Sequence, residues 1–496
     1  MSKVLAALDQ HASRMPSSMA VEGRSERWTY AELARVVEEL GQRLGHLNIR
    51  SAALLCDNTP TWIAADLACI QAGLTLTPVP HFFSPSQIHH LLSRSATRLL
   101  LTDRPEHLEH LLDRMGISYD ARVFEACGLV AFSMHIETEP AELPKATAKI
   151  TFTSGSTGEP KGVCLSQEAM ETVAHSLLEA TEAGKGDRHL ALLPYATLLE
   201  NIGGIYAPLL AGAVIIAPGM AEVGLGGASA LDVRRFVSAI TESQATTCIM
   251  IPQMLQGLVA GLAQGLSRPQ SLRYVAVGGA PVARKLLDQA AALGVPAYEG
   301  YGLSEAASVV AVNTPSANKP GSVGRPLPHV ELRFAEDGEI LVRGSLFEGY
   351  LGESITLDHG FWPTGDIGYL DEEGFLHLSG RKKHIFITAF GRNVSPEWVE
   401  SELMIEPAIA QCCVFGEARP FNVAVIVPRS SCDAAQVAAA VQAANERLPD
   451  YARVRRFVLA AEPFTVDNGL WTGTGRPRRR QILTAYADKI ERLYKE

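Results

Sequence analysis

The segment ITFTSGSTGEPKGVCLS, residues 150–166, begins as a strand-like apolar run and continues into a stretch of Gly, Ser and Thr. Small residues expose their backbone N–H groups, and hydroxyls add further donors, so such a loop suits close contact with an anion. Lys161 adds a cation, and Pro160 stiffens the chain beside it. The pattern predicts a polyphosphate-binding loop, although its spacing does not fit GxxxxGK[ST]. The alternative is a solvated surface loop.

The composition is typical of a globular enzyme. The chain has 496 residues, of which 47% are hydrophobic and 20% charged, and its net charge is −10. This acidic balance argues against a general nucleic-acid binder, so phosphate binding must depend on local features. No apolar run reaches membrane-spanning length, and the N-terminus shows no export signal. The eight Cys form no CxxC pair, which is typical of reduced thiols, and we expect a cytoplasmic protein.

Helical and strand-like patterns alternate through most of the chain. TYAELARVVEELGQRLGHL has a helical period after a Thr that can cap it, whereas SAALLCD, LTLTPVP and TRLLLTD are strand-like. The apolar run at residues 205–220 is interrupted by Gly and Pro, which predicts a helix end followed by a strand. Such alternation predicts an α/β fold with mostly parallel sheets. From about Val330, runs such as VELRFAEDGEILVRG contain turns of hairpin type.

The charged stretch GRKKH, residues 380–384, marks the predicted domain boundary, between positions 380 and 381. We expect residues 1–380 to form a large N-terminal domain of mostly parallel αβ-layered sheets plus a β-barrel-like part. Residues 381–496 are expected to form a smaller, mobile α+β domain.

TSGSTGEPKGV resembles the phosphate loop of the adenylate-forming superfamily, which includes acyl-CoA synthetases, firefly-type luciferases and peptide-synthetase adenylation domains. Because further segments stand in the expected order, the resemblance covers nearly the whole chain. These segments are LLPYATLLEN, VGGAP, YEGYGLSE, TGDIGYLDEEGFLHLSGRKKHIFITAFGRNVSPEWVE and NGLWTGTGRPRRR.

The resemblance implies that a carboxylate attacks the α-phosphorus of ATP, and that a thiol then attacks the acyl adenylate. Bringing two anions together makes charge neutralisation and alignment the main catalytic tasks. The residues that resemble the cradle for the outer phosphates are Thr153, Ser154, Ser156, Thr157 and Lys161. Glu305 resembles the carboxylate that holds Mg²⁺, a cation that prefers oxygen ligands, and Ser304 would reach the α-phosphate.

The nucleoside end of the implied site lies in three further motifs. Tyr301 resembles the aromatic residue that stacks on adenine, and Gly279 and Ala280 would line the same pocket through their backbone. Asp366 resembles the carboxylate that accepts the ribose hydroxyls, with Arg381 nearby.

The segment that would line the acid pocket, residues 192–213, has Glu200 as its one acid and is otherwise almost wholly apolar. An unpaired substrate ammonium would be costly there, so amino acids are disfavoured. LPYATLLEN is most similar to the LPLxHxxE form of fatty acyl-CoA synthetases, with Thr197 at the His position. The expected acid is therefore apolar, with a fatty acid as the specific expectation; the alternative is that these residues are only a core helix.

The C-terminal motif departs from the family pattern. Arg476 stands where the family has a catalytic Lys, and it keeps the charge in a planar guanidinium. Lys383 matches the hinge of the small domain. Phe390 stands where a Gly is frequent in the loop that lines the thiol tunnel. The arginines at 478–480 are expected either to bind phosphates or to form a solvated helix start.

The resemblance therefore implies an AMP-forming acyl-CoA synthetase that uses ATP, Mg²⁺ and coenzyme A, with no nucleic-acid partner and no membrane span. One alternative is an adenylating ligase that loads the phosphopantetheine of an acyl carrier protein or otherwise consumes the adenylate. Another is a non-catalytic nucleotide- or acyl-binding relative, suggested by Arg476.

Overall fold

The fold is seen in a computed structural model. It describes residues 2–495 except positions 96, 121, 137–140, 154–159, 227–229, 354, 430–431 and 473–474, and except the side chain at 230.

The strands, numbered in chain order, have the following bounds: β1 Met19–Glu22, β2 Arg27–Thr29, β3 Ser51–Leu55, β4 Thr75–Pro78, β5 Leu99–Thr102, β6 Ser118–Tyr119, β7 Phe124–Ala126, β8 Leu129–His135, β9 Thr147–Thr153, β10 Lys161–Ser166, β11 Arg188–Leu190, β12 Val214–Ile216, β13 Leu225–Gly226, β14 Ala230–Leu231, β15 Thr247–Met250, β16 Tyr274–Val277, β17 Ala297–Leu303, β18 Ser308–Val312, β19 Arg325–Pro326, β20 Glu331–Phe334, β21 Glu339–Arg343, β22 Gly349–Tyr350, β23 Trp362–Leu370, β24 Leu376–Arg381, β25 Phe386–Ile387, β26 Asn393–Val394, β27 Ile409–Phe415, β28 Asn422–Pro428 and β29 Val454–Leu459.

The α-helices are α1 Lys3–Arg14, α2 Tyr30–Gly45, α3 Pro60–Gln71, α4 Pro85–Ser95, α5 Pro105–Met115, α6 Gln167–Ala180, α7 Leu198–Asn201, α8 Ala207–Ala211, α9 Val233–Glu242, α10 Pro252–Ala263, α11 Arg284–Ala292, α12 Pro396–Met404, α13 Ala434–Asn445, α14 Arg479–Ala485 and α15 Ala487–Lys495. A π-helix, Ile202–Tyr206, joins α7 to α8, and short 3₁₀ turns cover Ser304–Ala306 and Asp450–Ala452.

Two nine-stranded sheets dominate the large domain, as the alternating pattern predicts. The first runs β19-β18-β17-β16-β15-β11-β12-β1-β2, and the second runs β22-β10-β9-β4-β3-β5-β8-β6, with β7 paired to β8. Their central strands are parallel, including β11, β15, β16 and β17 in the first sheet and β4, β3 and β5 in the second. The predicted two-domain α/β class is confirmed.

Local sequence signals explain where several helices begin. The Thr29 hydroxyl accepts from the Glu32 N–H, and the Glu32 carboxylate accepts from the Thr29 N–H, which forms a capping box at α2. Thr59 caps α3, and Pro60 occupies its first turn, where the missing N–H has no helical partner to lose. The start of α2 is the one the sequence predicts.

A buried polar cluster joins the strand before the phosphate loop to the helical segment around the π-helix. Lys149 of β9 donates from Nζ to Asp66 Oδ1 at 2.7 Å and to the Tyr206 hydroxyl at 2.9 Å, and it also donates to Asn201. Asn201 donates in turn to Asp66 Oδ2 at 3.1 Å. All four side chains are buried, and their mutual bonds offset the cost of removing them from water.

The chain after the parallel sheets is built from antiparallel strands and a small domain. Strands β20, β21, β23 and β24 form a four-stranded antiparallel sheet that ends at Arg381. The small domain contains the three-stranded sheet β27-β28-β29, packed with α12 and α13. Cys412 and Cys413 are buried in β27.

Candidate active site

Asp366 and Arg381 meet across the β23–β24 pair. The two residues are register partners, and Arg381 Nε lies 2.9 Å from Asp366 Oδ1. The Tyr301 hydroxyl donates to the other oxygen, Asp366 Oδ2, at 2.6 Å. Burial raises the pKa of Asp366, and the Arg381 charge opposes that rise. The structure thus brings together three of the residues predicted for the nucleoside end.

Arg476 reaches from the small domain to the large one. Its guanidinium donates to the Gly279 carbonyl and interacts electrostatically with Asp366. Lys383 is exposed, and partial desolvation lowers its pKa, with the charges of Arg381 and Arg476 lowering it further. Arg381, Lys383 and Arg476 therefore lie close enough to interact electrostatically, a placement that suits an anionic substrate.

The contacts around Arg476 are part of a wider domain contact. Gln256 of α10 donates from Nε2 to the Met404 carbonyl at 2.7 Å, and Lys285 Nζ of α11 lies 3.1 Å from Glu406 Oε1. The small domain is therefore seated with Arg476 turned into the cleft. Phe390, in the turn between β25 and β26, is 75% exposed in this arrangement.

Lys161 and Glu305 both contact Tyr350. Lys161 Nζ is 4.8 Å from the centre of the Tyr350 ring, and the Tyr350 hydroxyl donates to Glu305 Oε1 at 2.7 Å. Lys161 Nζ is also 3.1 and 3.2 Å from the two carboxylate oxygens of Glu353. Both members of that ion pair are about half exposed, so a bound phosphate can replace Glu353 at small cost.

The predicted phosphate loop is only partly described. Thr153 ends β9 and pairs in register with Lys161, the first residue of β10. Ser154, Ser156 and Thr157 lie outside the described residues. The strand pair nevertheless shows that the loop leaves and re-enters the second sheet beside Lys161.

The other predicted positions fall near the same cleft. Ser304 and Gly279 line its cavity, and Ala280 follows Gly279 and is half-buried. Thr197, at the His position of the family motif, also lines the cavity. Glu200 is fully buried and accepts from His189 Nε2 at 3.0 Å, so it is already paired and leaves no free acid for a substrate amine.

The expectation for the arginines at 478–480 is wrong for Arg479. Arg479 Nη2 lies 2.5 Å from Glu400 Oε2 and 3.5 Å from Glu397 Oε1, and Arg479 Nη1 donates to the Val414 carbonyl. Its side chain is 16% exposed. A fully buried carboxylate, Glu400, requires a cation close by, so Arg479 fastens α14 to α12 instead of binding phosphate.

Two residues of the site, Tyr350 and Glu353, carry no signal in the sequence. Tyr350 contacts Glu305 from 45 positions away, and Glu353 contacts Lys161 from 192 positions away. Tyr350 belongs to β22, a two-residue strand that pairs with β10 and so places its ring beside Lys161. A strand of two residues is too short to show an alternating pattern, so β22 and the position of Tyr350 cannot be predicted from the sequence.

A cavity of about 1210 Å³ opens from the cleft into the large domain. Its inner part lies between the first nine-stranded sheet and the wall formed by α6, the π-helix and α8, and its outer part is also lined by small-domain residues such as Gln411 and Arg429. The lining is mostly apolar, with Leu198, Gly203, Ile249, Ala276 and Val309 as examples. Such a cavity accepts hydrocarbon and orients it through a small number of polar groups.

Comparison with known proteins agrees with this geometry. The family model described as AMP-binding enzyme matches residues 8–351, and the model of the AMP-binding enzyme C-terminal domain matches residues 383–496. The chain belongs to the AMP-binding enzyme family. An AMP-forming acid–CoA ligase is the activity that fits this family.

Individual relatives cover most of the chain. It is 28% identical to a long-chain-fatty-acid–CoA ligase of Mycobacterium bovis, over 87% of this chain and 86% of that protein. It is 30% identical to a 2-succinylbenzoate–CoA ligase of Bacillus subtilis, over 82% and 84%. The crystal structure of an anthranilate CoA ligase in complex with anthranoyl-AMP has the same fold, with a TM-score of 0.80 at 19% identity over 98% and 97% of the two chains.

Glu305 has the chemistry that a magnesium ion would need. It is a carboxylate, and carboxylate oxygens are ligands that Mg²⁺ prefers. It accepts a hydrogen bond from Tyr350, whose ring also contacts Lys161. In the described part of the chain no three acidic, imidazole or thiol groups converge as a ready-made metal site. A magnesium ion at Glu305 would therefore take its other ligands from phosphate and water, as Mg²⁺ commonly does.

Lys161→Ala is expected to weaken ATP use about tenfold or more, because a charge-assisted contact to phosphate is lost. Its melting temperature should stay at the parent value, since the Lys161–Glu353 pair is exposed. ATP–pyrophosphate exchange at varied ATP concentration measures the effect, with the exposed Lys145→Ala as the matched control. Unchanged exchange in Lys161→Ala would refute its role as a phosphate ligand.

Proposed function

We propose that the protein is an AMP-forming acyl-CoA synthetase for an apolar carboxylic acid, with a fatty acid as the expected substrate. The observation that supports this most directly is the place of Arg476, which contacts Gly279 at the mouth of a largely apolar cavity. A positive charge that can stabilise the reacting anions therefore lies next to a cavity that can hold a hydrocarbon chain.

Two steps would take place at this mouth. A carboxylate oxygen of the acid forms a bond to the α-phosphorus of ATP, and the bond to the bridging oxygen breaks as pyrophosphate leaves. The thiol of coenzyme A then loses its proton, its sulfur bonds to the acyl carbon, and AMP leaves. Mg²⁺, when bound at Glu305, would neutralise charge on the phosphates.

This chain's residues would position the reactants. Asp366 would accept the ribose hydroxyls while Arg381 keeps it charged, and Tyr301 would face the base. Thr153, Ser154, Ser156, Thr157 and Lys161 would hold the outer phosphates, and Ser304 would contact the α-phosphate. Arg476 would stabilise the charge that crowds between the carboxylate and the α-phosphate.

The domain assignment supports the same proposal. We place the boundary between residues 380 and 381, one residue before β24 ends at Arg381, and propose that the smaller domain moves about Lys383. No helix in the described ranges combines the length and apolarity that crossing a membrane requires. A cytoplasmic location, and a carrier protein as an alternative acceptor, stay predictions.

The relatives already named act on acids as different as long-chain fatty acids and 2-succinylbenzoate, so the acid must be found by experiment. ATP–pyrophosphate exchange with a panel of acids tests adenylation, and added coenzyme A or a carrier protein identifies the acceptor. Acid-dependent exchange followed by an acyl-CoA product is the expected result. No exchange with any acid, despite nucleotide binding, would favour a non-catalytic binding protein.

Gly203→Val should reduce kcat/KM for long acids about tenfold more than for short ones. A Cβ at Gly203 would lie 2.8 Å from Ile249 Cδ1, so a larger side chain must displace Ile249 or enter the cavity. The double variant Gly203→Val with Ile249→Ala should regain the long acids because it restores space at the same depth. An equal loss for all chain lengths would show that the acid does not pass this point.

A further inference from the structure

Three polar or aromatic side chains stand side by side deep in the apolar cavity. His189 of β11 is the register partner of Thr247 in β15, and Thr247 is the partner of Tyr274 in β16. All three line the cavity. We call His189, Thr247 and Tyr274 the polar row.

The polar row lies well below the mouth of the cavity. On β16 it stands at Tyr274, four positions before Gly278, which lines the mouth together with Gly279. At about 3.3 Å per residue in a parallel strand, the separation is roughly 13 Å. Between them, on the same face, lie Ile249 and its register partner Ala276. A substrate held at the mouth would therefore cross an apolar section before reaching the polar row.

The hydrogen bonds of the row show which of its groups is available. His189 Nε2 lies 3.0 Å from Glu200 Oε1, and the Leu193 N–H donates to Glu200 Oε2 at 3.3 Å. His189 Nδ1 lies 3.0 Å from Thr247 Oγ1. With the Glu200 carboxylate accepting from Nε2–H, Nδ1 accepts from the Thr247 hydroxyl. The hydroxyl proton of Thr247 is then used, and its oxygen keeps lone pairs that can accept.

Tyr274 contributes a surface and not a polar atom. Its hydroxyl donates to the Asn313 carbonyl at 2.9 Å, and its ring stacks on Tyr298 with centroids 4.9 Å apart. The free acceptor in the row is therefore Thr247 Oγ1. The Thr247 hydroxyl satisfies the buried His189 Nδ1, and the same oxygen can accept one further donor from the cavity that Thr247 lines.

We infer that Thr247 binds a hydrogen-bond donor, such as a hydroxyl, carried near the far end of the acid and about 13 Å from its carboxylate. This inference rests on the proposed function and narrows its substrate class. The acid would have an apolar body, which crosses the section at Ile249, and a terminal donor. His189 and Glu200 act as positioning residues, because they fix the direction of the Thr247 hydroxyl.

The test compares acids of one chain length that end in a methyl group, a hydroxyl or a methyl ether, across a series of lengths. In the parent protein we expect kcat/KM in ATP–pyrophosphate exchange to be about tenfold higher for the hydroxyl acid at the length that spans about 13 Å. The ether can accept but cannot donate, so it should gain nothing. Equal values for all three acids at every length would overturn the inference.

Two variants separate binding from a structural role. Thr247→Val keeps the shape of the side chain and removes the acceptor, so it should abolish the preference, with kcat/KM of the hydroxyl acid falling about tenfold further than kcat/KM of the methyl acid. Thr247→Ser keeps the hydroxyl and should keep the preference. An equal loss for every acid in Thr247→Val would assign Thr247 to the fold alone.

Calorimetric titration of the same acids provides a readout independent of catalysis. If the parent binds the hydroxyl acid more tightly through Thr247 but supports no exchange, the polar row stands and the proposed function fails. If exchange occurs without a preference for the donor, the proposed function stands and this inference fails.

Discussion

Arg476→Ala is expected to slow adenylation by about 10²–10³-fold, the usual effect of removing one donor from a site of developing negative charge. The guanidinium enters the cleft beside the Gly279 carbonyl and near Asp366. ATP–pyrophosphate exchange measures this step. Thioester formation from supplied acyl adenylate should change little, because the attack of the carboxylate on the α-phosphorus, whose developing charge Arg476 would stabilise, is by then complete.

Arg476→Lys is the sharper companion variant. If charge alone matters, the lysine variant should adenylate as fast as the parent or faster. If the planar guanidinium with its paired donors is needed, adenylation should be as slow as in Arg476→Ala. Arg480→Ala, an exposed position in the next helix, is the matched control. Parent-like adenylation in Arg476→Ala would mean that this loop does not serve the first step. Arg479 could not replace it, because that side chain is committed to Glu400.

Glu305→Gln should lose most activity, on the order of 10²-fold or more, because it removes the charge that would hold a magnesium ion and keeps the shape of the side chain. The amide oxygen can still accept from the Tyr350 hydroxyl, so the local packing should survive. Exchange assays over a range of Mg²⁺ concentrations measure the loss, and partial recovery at high Mg²⁺ is expected.

Tyr350→Phe is the control for the Glu305 variant. It removes the hydrogen bond to Glu305 but leaves the carboxylate and the ring beside Lys161. If Tyr350→Phe loses much less activity than Glu305→Gln, then the charge of Glu305 matters more than the hydrogen bond that orients it. Full activity of Glu305→Gln at ordinary Mg²⁺ would place the metal elsewhere.

Much of the fold follows from local signals. The cap at Thr29 and the Pro at position 60 begin helices where their chemistry predicts, and the apolar strand runs become the parallel strands of two sheets. The predicted helix end and strand within residues 205–220 are α8 and β12. These features depend on neighbours within a few positions, which the sequence displays directly.

The rest depends on partners far apart in sequence. The role of Arg479 is set by Glu400, 79 positions away, and that of Lys149 by Asp66, 83 positions away. The residues next to Arg479 and Lys149 in the sequence do not indicate which carboxylate will pair with either side chain. The same holds for Glu200, whose pairing with His189 requires the return of the chain from β11 to α7.

The anchor at Arg479 also determines how accurately Arg476 is aimed. Only three positions separate the two arginines, and Arg479 is fastened to Glu400 and Glu397 of α12 while the Arg478 N–H donates to the Leu470 carbonyl at 2.9 Å. The position of the Arg476 guanidinium therefore depends on the position of the whole small domain. It does not vary independently, as it would in a free loop. Substitutions on the far side of α12 can therefore shift Arg476 within the active site. We expect such variants to have slower adenylation and an unchanged affinity for ATP.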